Sequence, residues 1–355
     1  MPSIDAGQMA DGMNNEKGNE VSLSRVALIR AAVLFLSIAF AGTANAADPA
    51  IVGDGGIVRL MVNTAGDTSF PPYVIQKLAL DRKHGFTLQV MAANTVQSTT
   101  TGFQSGAGDL GTYGWNELAR AKAGGVNVIG IGPFLGWANT LVVPANSSIR
   151  NVGDFDGKKV GVYNRTGLDW TLARAAAKSK YQLDLETHIV LQVATVPLLR
   201  GLMDQGQLDA TQMFNDLTVP MVVSGKFRLL ATGQDLVDQL GLPETPLIVY
   251  TAETGYAAAH PANVRAFLAA YRDAIDALKT NDDLWVEPAA ALGITDAAML
   301  TVLRKQTRPM LISRFTPDTE ANIRKVWDVL VATAGAETLG MSKLVDGFMT
   351  LDYQQ

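Results

Sequence analysis

From residue 57 onward, apolar positions recur first at strand spacing and then at helical spacing. Ile57–Asn63 is a run of mostly aliphatic residues that stops at Thr64-Ala65-Gly66-Asp67. Val74, Ile75, Leu78 and Ala79 then repeat with a helical period, and Gly85 suits the C-terminal cap. Phe86, Leu88 and Val90 alternate, which predicts a strand with one buried face. Short apolar runs predict further strands over 109–113, 126–131, 140–143, 159–162 and 189–193, with helices over 116–123 and 168–180 between them. Such alternation implies an α/β fold whose mixed, mostly parallel sheets are covered by helices. From Pro261 the pattern is helical only. Val264, Phe267, Leu268, Tyr271, Ile275 and Leu278 make one apolar stripe, and 302–303 and 323–331 supply further C-terminal helices.

One arrangement occurs twice. Phe103-Gln104-Ser105-Gly106 leads to Asp109 and a strand ending Tyr113-Gly114-Trp115-Asn116. Leu202-Met203-Asp204-Gln205-Gly206 leads to Asp209 and a strand ending Met213-Phe214-Asn215-Asp216. Two similar lobes are therefore expected, with an aromatic and an amide at the carboxyl end of a strand in each, where open α/β sheets bind ligands. Prolines beside apolar strands place the crossovers near 144–148 and 243–246. Lobe I is then 47–144 plus 247–355, and lobe II is 145–246.

Ahead of this lies a different pattern. Arg25 and Arg30 precede an uncharged apolar run over 31–41, and Ala44-Asn45-Ala46 presents small residues at both positions a signal peptidase reads. The run is too short for the roughly 20 residues that span a bilayer. Residues 1–46 therefore predict a signal peptide with an N-terminal extension, cleaved after Ala46, and an exported, periplasmic chain. Residues 1–24 are polar, with Met9 and Met13 as alternative starts.

Composition mainly excludes. The 355 residues hold 29 basic and 34 acidic side chains, 48% hydrophobic residues and no cysteine. Without cysteine there are no disulfides, thiolate metal sites, cysteine nucleophiles or lipid attachments through a thiol. Three histidines, at 84, 188 and 260, leave little imidazole for metal or triad chemistry. A net charge of −5 without a basic stripe argues against nucleic acid. No H-E-x-x-H, G-x-S-x-G or P-loop occurs, nor a G-x-G-x-x-G opening a helix after a strand. No cofactor, metal or catalytic residue is expected.

With these elements in order, the chain resembles the periplasmic binding proteins of nitrate, sulfonate, taurine and thiamine-pyrimidine importers over about 57–261. The landmarks are Lys83-His84-Gly85-Phe86, Ser105-Gly106 with Asp109-Leu110-Gly111, Ser148-Ile149 followed by Asp154-Phe155-Asp156-Gly157-Lys158-Lys159-Val160-Gly161-Val162, and Gly206 with Leu208-Asp209-Ala210. The resemblance implies a two-lobed periplasmic-binding-protein fold of type II with two hinge crossovers. It also implies delivery of a small solute to an ABC-type permease and its ATPase, by a receptor expected to be monomeric. Two other roles stay open: an enzyme of the same fold in cofactor biosynthesis, and a sensory protein that reports its ligand to a receptor. A pyrimidine-forming branch of the fold depends on cysteines that this chain lacks.

Candidate ligand contacts lie in the loops after the strands. Thr64, Asp67 and Phe70 follow the first, and Tyr113, Trp115, Asn116, Phe134 and Trp137 the next ones. Asn164, Arg165, Thr166 and Trp170 come from the second half, with Phe214, Asn215 and Asp216 at its last strand end. Each aromatic could equally pack in the core, but their clustering beside amides points to a cleft. Asn164-Arg165-Thr166-Gly167 opens a helix and suits an anionic head, unless Thr166 is simply its cap. A small organic anion, sulfonate- or carboxylate-like, is the first expectation. If two of Asp67, Glu117 and Asp216 point inward, a pyrimidine-like nitrogen compound becomes the alternative.

Overall fold

The computed structural model describes residues 52–354 other than Ala65 and Asn94, so the expected signal peptide and its cleavage site lie outside the described residues. Among the described residues ten strands follow in order: β1 Ile57–Asn63, β2 Thr87–Ala93, β3 Leu110–Gly114, β4 Val128–Leu135, β5 Asn139–Pro144, β6 Lys159–Val162, β7 Val190–Val193, β8 Ala210–Phe214, β9 Phe227–Thr232 and β10 Ile248–Glu253. They form two five-stranded sheets, ordered β2-β1-β3-β10-β4 and β7-β6-β8-β5-β9. In each, three strands run parallel and the fourth is inserted antiparallel before the edge strand. Helices flank both sheets, and the chain passes between them twice, over 136–138 and 240–247. The strand at 139–144, expected at the end of lobe I, hydrogen bonds instead with β8 and β9 of the second sheet.

The internal echo is structural. Asp109 accepts from the Arg59 amide at 2.9 Å and returns a bond from its own amide to the Arg59 carbonyl at 2.8 Å. Asp209 does the same with Lys159, at 2.8 and 2.9 Å. The first helical residues match as well: the Trp115 amide donates to the Leu247 carbonyl, and the Asn215 amide to that of Ala138. Each acceptor immediately precedes the inserted strand, so each crossover is bonded to the site end of a lobe.

Most predicted elements appear within two residues of their expected bounds, with informative exceptions. The stripe after β1 is two helices, Phe70–Lys77 and Leu80–Lys83, broken where Ala79 takes φ 52°. β4 continues beyond Ile131 through Pro133, which an edge strand tolerates because it leaves one ladder position unfilled. The helix Pro261–Thr280 buries its apolar stripe against the first sheet, packing Phe267 and Tyr271 on Tyr250 of β10. The C-terminal segment then lies along the β4 edge: the Gly130 amide donates to the Phe348 carbonyl and the Thr350 amide to that of Gly130, both at 2.9 Å.

Candidate functional site

At the end of β1 the chain turns sharply. Thr68 Oγ1 donates to the Asn63 carbonyl at 2.5 Å, and Ser69 Oγ donates to that of Gly66 at 2.7 Å. This turn holds Asp67 at the mouth of the first lobe, 8% exposed. Across from it, β8 ends at Phe214 and the helix Asn215–Val223 begins, with Asp216 in its first turn, where the helix dipole favours a carboxylate. Asn215 is buried beneath it, accepting from Thr140 Oγ1 and donating to Met310 Sδ, which fixes the helix start. The two mouths approach closely: a Cβ placed on Gly66 would lie 3.6 Å from Asp216 Oδ2.

Between them is a cavity of about 390 Å³. Asn63, Asp67, Asn139, Phe214 and Asp216 give it polar and aromatic walls, while Leu135, Ala138 and Ile248 close it at the crossovers. No Lys, Arg or His is among its described lining residues. Burial, and after it the Asp216 charge, push Asp67 up to about 8 against the pull of the Thr68 and Asp67 amides. Burial likewise pushes Asp216 up to about 6 against the pull of the amides at 216 and 217. Asp67 Oδ2 is buried without a hydrogen-bond partner. Asn139 donates Nδ2 to the Tyr163 hydroxyl at 3.1 Å, leaving its buried Oδ1 unpartnered. Tyr163 in turn packs on Phe214, ring centroids 4.7 Å apart. Behind these, burial raises Asp169 to about 6, eased by the Asn139 amide.

Asp67, Phe214 and Asp216 are thus the sequence-predicted residues that line the cavity. Trp115, Trp137 and Trp170, expected as its walls, are fully buried elsewhere. Trp115 meets Trp327 edge-on at 5.8 Å, Trp170 lies in the same core, and Trp137 sits in the first crossover, donating Nε1 to Thr245 of the second at 3.2 Å. Phe70 packs on Trp285, Tyr113 on Phe103 and Phe134 on Tyr250. Trp115 and Phe70 each open a helix and are drawn under it, where the whole ring leaves water. Thr64 donates its amide to the Ala93 carbonyl, and neither it nor half-buried Asn116 lines the cavity. Glu117, raised by burial, sits in a separate groove with Gln104 and Arg120.

The expected anion loop is closed on itself. Asn164 Oδ1 accepts from the Thr166 amide at 3.0 Å and its hydroxyl at 3.1 Å, so Asn164, not Thr166, organises the turn. Arg165 is exposed and paired with Glu186. Neither reaches the cavity lining. Sequence reasoning had no means of naming Leu135, Ala138 and Ile248 as walls, because ordinary apolar residues at a crossover look like strand ends. A second cavity, of about 350 Å³, lies on the other flank of the crossovers between Trp137, Glu244, Gln306 and Met310.

Solved structures share this architecture. The alkanesulfonate-binding protein of Xanthomonas axonopodis pv. citri, bound to MOPS, is similar with a TM-score of 0.65 and 19% identity, covering 86% of this chain and 99% of that one. The periplasmic aliphatic sulphonate binding protein of Escherichia coli gives 0.67 and 19%, covering 82% and 90%. A desulfurization enzyme also has the fold, with a TM-score of 0.59, 15% identity and coverage of 84% and 97%. At these identities the likeness establishes a two-lobed periplasmic-binding-protein fold. No curated protein matches the sequence. The sequence does match the NMT1/THI5-like family over residues 71–283, more than half of its length, and the chain belongs to that family.

Proposed function

We propose that the protein is an exported solute receptor that captures a small organic molecule between its lobes and delivers it to an ABC-type permease and ATPase. The observation that carries this is the cleft at the strand ends of both sheets, bounded by both crossovers. Lobe I is read as the sheet containing β1–β4 and β10 with the C-terminal helices, and lobe II as the sheet of β5–β9. Residues 1–46 are read as the export signal, cleaved after Ala46, which puts the receptor in the periplasm as a diffusing monomer.

Solved relatives that bind sulfonates favour a small organic anion. Against that stand Asp67 and Asp216 in the wall, and Arg165 engaged with Glu186 on the surface. The geometry therefore favours the alternative, a nitrogen compound that donates hydrogen bonds. An enzyme role has the support of one fold relative, but the unpartnered buried atoms among the described lining residues are the acceptors Asp67 Oδ2 and Asn139 Oδ1.

Ligand bridging both lobes stabilises the closed form by its differential affinity for it. A melting screen of organic solutes, followed by scattering on the hits, tests the reading. A hit raises the melting temperature, shrinks the radius of gyration and is not consumed. Turnover of the hit at an enzyme-like rate would overturn the receptor role.

A further inference from the structure

Among the described residues, the buried side-chain atoms of the cavity that lack a partner carry one hydrogen-bonding sign. Asp67 Oδ2 and Asn139 Oδ1 are acceptors, each on a side chain more than nine-tenths buried, and neither has a partner. Asp216, 8% exposed, lies with Asn139 on the side of the second sheet and faces Asp67 from there. The hydroxyl of Thr68 is spent on the Asn63 carbonyl, and that of Thr95 is bonded with Ser98. Charged groups on the surrounding elements are engaged or face elsewhere. On β1, Arg59 pairs with Asp109. On the helix Phe70–Lys77, Lys77 pairs with Glu287. On the helix Ala297–Thr307, Arg304 pairs with Asp282 and Lys305 lines the second cavity. On β9, Arg228 bonds the carbonyls of Ser147 and Ile149. On the lobe II side a further acid, Asp169, is bonded by Asn139 and acts on Tyr163.

Two desolvated carboxylates with no cation between them repel each other, and the free site relieves this by holding a proton. A solute with a protonated nitrogen and several N–H groups would replace that proton and satisfy both lobes at once. Resting on the receptor reading above, we propose that the solute is an organic cation, an amine, amidine or guanidine on a compact apolar body, whose charged head bridges Asp67 and Asp216 while its body packs on Phe214, Leu135 and Ile248. Because the head touches one carboxylate from each lobe, the cation is also the group that draws the lobes together. Binding expels the shared proton to solvent, so affinity rises with pH until Asp67 ionises in the free protein.

Three aryl probes of one shape separate the charges: benzamidine, neutral benzamide and benzoate, with phenethylamine as a second cation. Calorimetry at pH 7 in phosphate and in Tris, buffers of different ionisation heat, should give binding of benzamidine or phenethylamine with release of nearly one proton. Asp67→Asn and Asp216→Asn should each weaken the cation at least tenfold, and Asp67→Asn should abolish the proton release. Both variants keep the side-chain shape, and their melting curves report that they fold. Tighter binding of benzoate than of benzamidine overturns the proposal, as does cation binding indifferent to both substitutions. Silence of both cations at millimolar concentration, with some other solute closing the lobes, overturns it while leaving the receptor reading intact. Silence of every solute in the screen overturns the receptor reading itself.

Discussion

Replacing Asp67 by Asn removes an ionisable carboxyl from a buried site while keeping its shape, and the effect on stability should depend on pH with a definite sign. In the folded protein Asp67 is pushed up to about 8 from an ordinary 3.8, mainly by burial and then by Asp216. Between those two values the folded state holds a proton that the unfolded state has lost, so wild-type stability falls as pH rises and levels off above the folded value. Each unit is worth about 1.4 kcal/mol, which makes roughly 4 kcal/mol between pH 5 and pH 8 an upper bound. Water in the cavity screens part of it, and the pair titrates jointly, so an observed change on the order of 2–4 kcal/mol is expected. The substituted amide is neutral throughout. The Asn variant should therefore gain on the wild type by that amount from pH 5 to pH 8, in the absence of solute. Urea unfolding of both proteins at pH 5, 6, 7 and 8 measures it through the midpoint at constant slope. A difference that is flat with pH, or that shrinks as pH rises, would refute the reasoning.

Four further outcomes follow from the geometry. Asp109→Ala should cost about 2–3 kcal/mol in urea unfolding, because it leaves the Arg59 amide and guanidinium without their acceptor, whereas Asp209→Ala, whose twin bond serves only the Lys159 amide, should cost about 1 kcal/mol. Trp115→Ala should destabilise by about 3–5 kcal/mol with no direct loss of a solute contact, since its ring packs on Trp327 away from the cavity. Arg165→Ala should change solute affinity less than about twofold in a binding titration, as expected of an exposed ion pair outside the site. Phe214→Ala should weaken the solute by about 1 kcal/mol, roughly fivefold, because it removes the aromatic wall and frees Tyr163 from its stack.

What could be learned from the sequence was what local chemistry encodes. The turn from Gly106 through Asp109 and its counterpart from Gly206 through Asp209 each place a carboxylate just before a strand, where it bonds an amide of the neighbouring strand, and the acid is visible within a few residues. Asp67 and Asp216 were nameable for the same reason, as acids immediately after strands. Whether a ring in such a place faces the cavity or the core depends on how the following helix is rotated over its sheet. That rotation comes from distant packing, such as Trp327 against Trp115. Arg165 was misleading in the same way: its partner Glu186 lies 21 residues away, on the far side of a helix in the sequence. The pairing of β5 with β8 and β9 is also non-local, and proline positions alone put the first crossover after β5 instead of before it.

The insertion of β10 into the first sheet has a consequence for the order in which the molecule can be assembled. Strands β5 to β9 are consecutive in the chain, so the whole second sheet can pair once residue 232 has been made. The first sheet must wait, because β3 and β4 have no bond to each other until β10 arrives between them. Its closure therefore joins segments more distant in sequence than any pairing in the second sheet, and such contacts form slowly. On refolding, the amides of β5 to β9 should be protected first, with β3, β4 and β10 gaining protection together afterwards. Pulsed hydrogen exchange would resolve the two events as separate phases, the first sheet completing its hydrogen bonds around an already ordered second one.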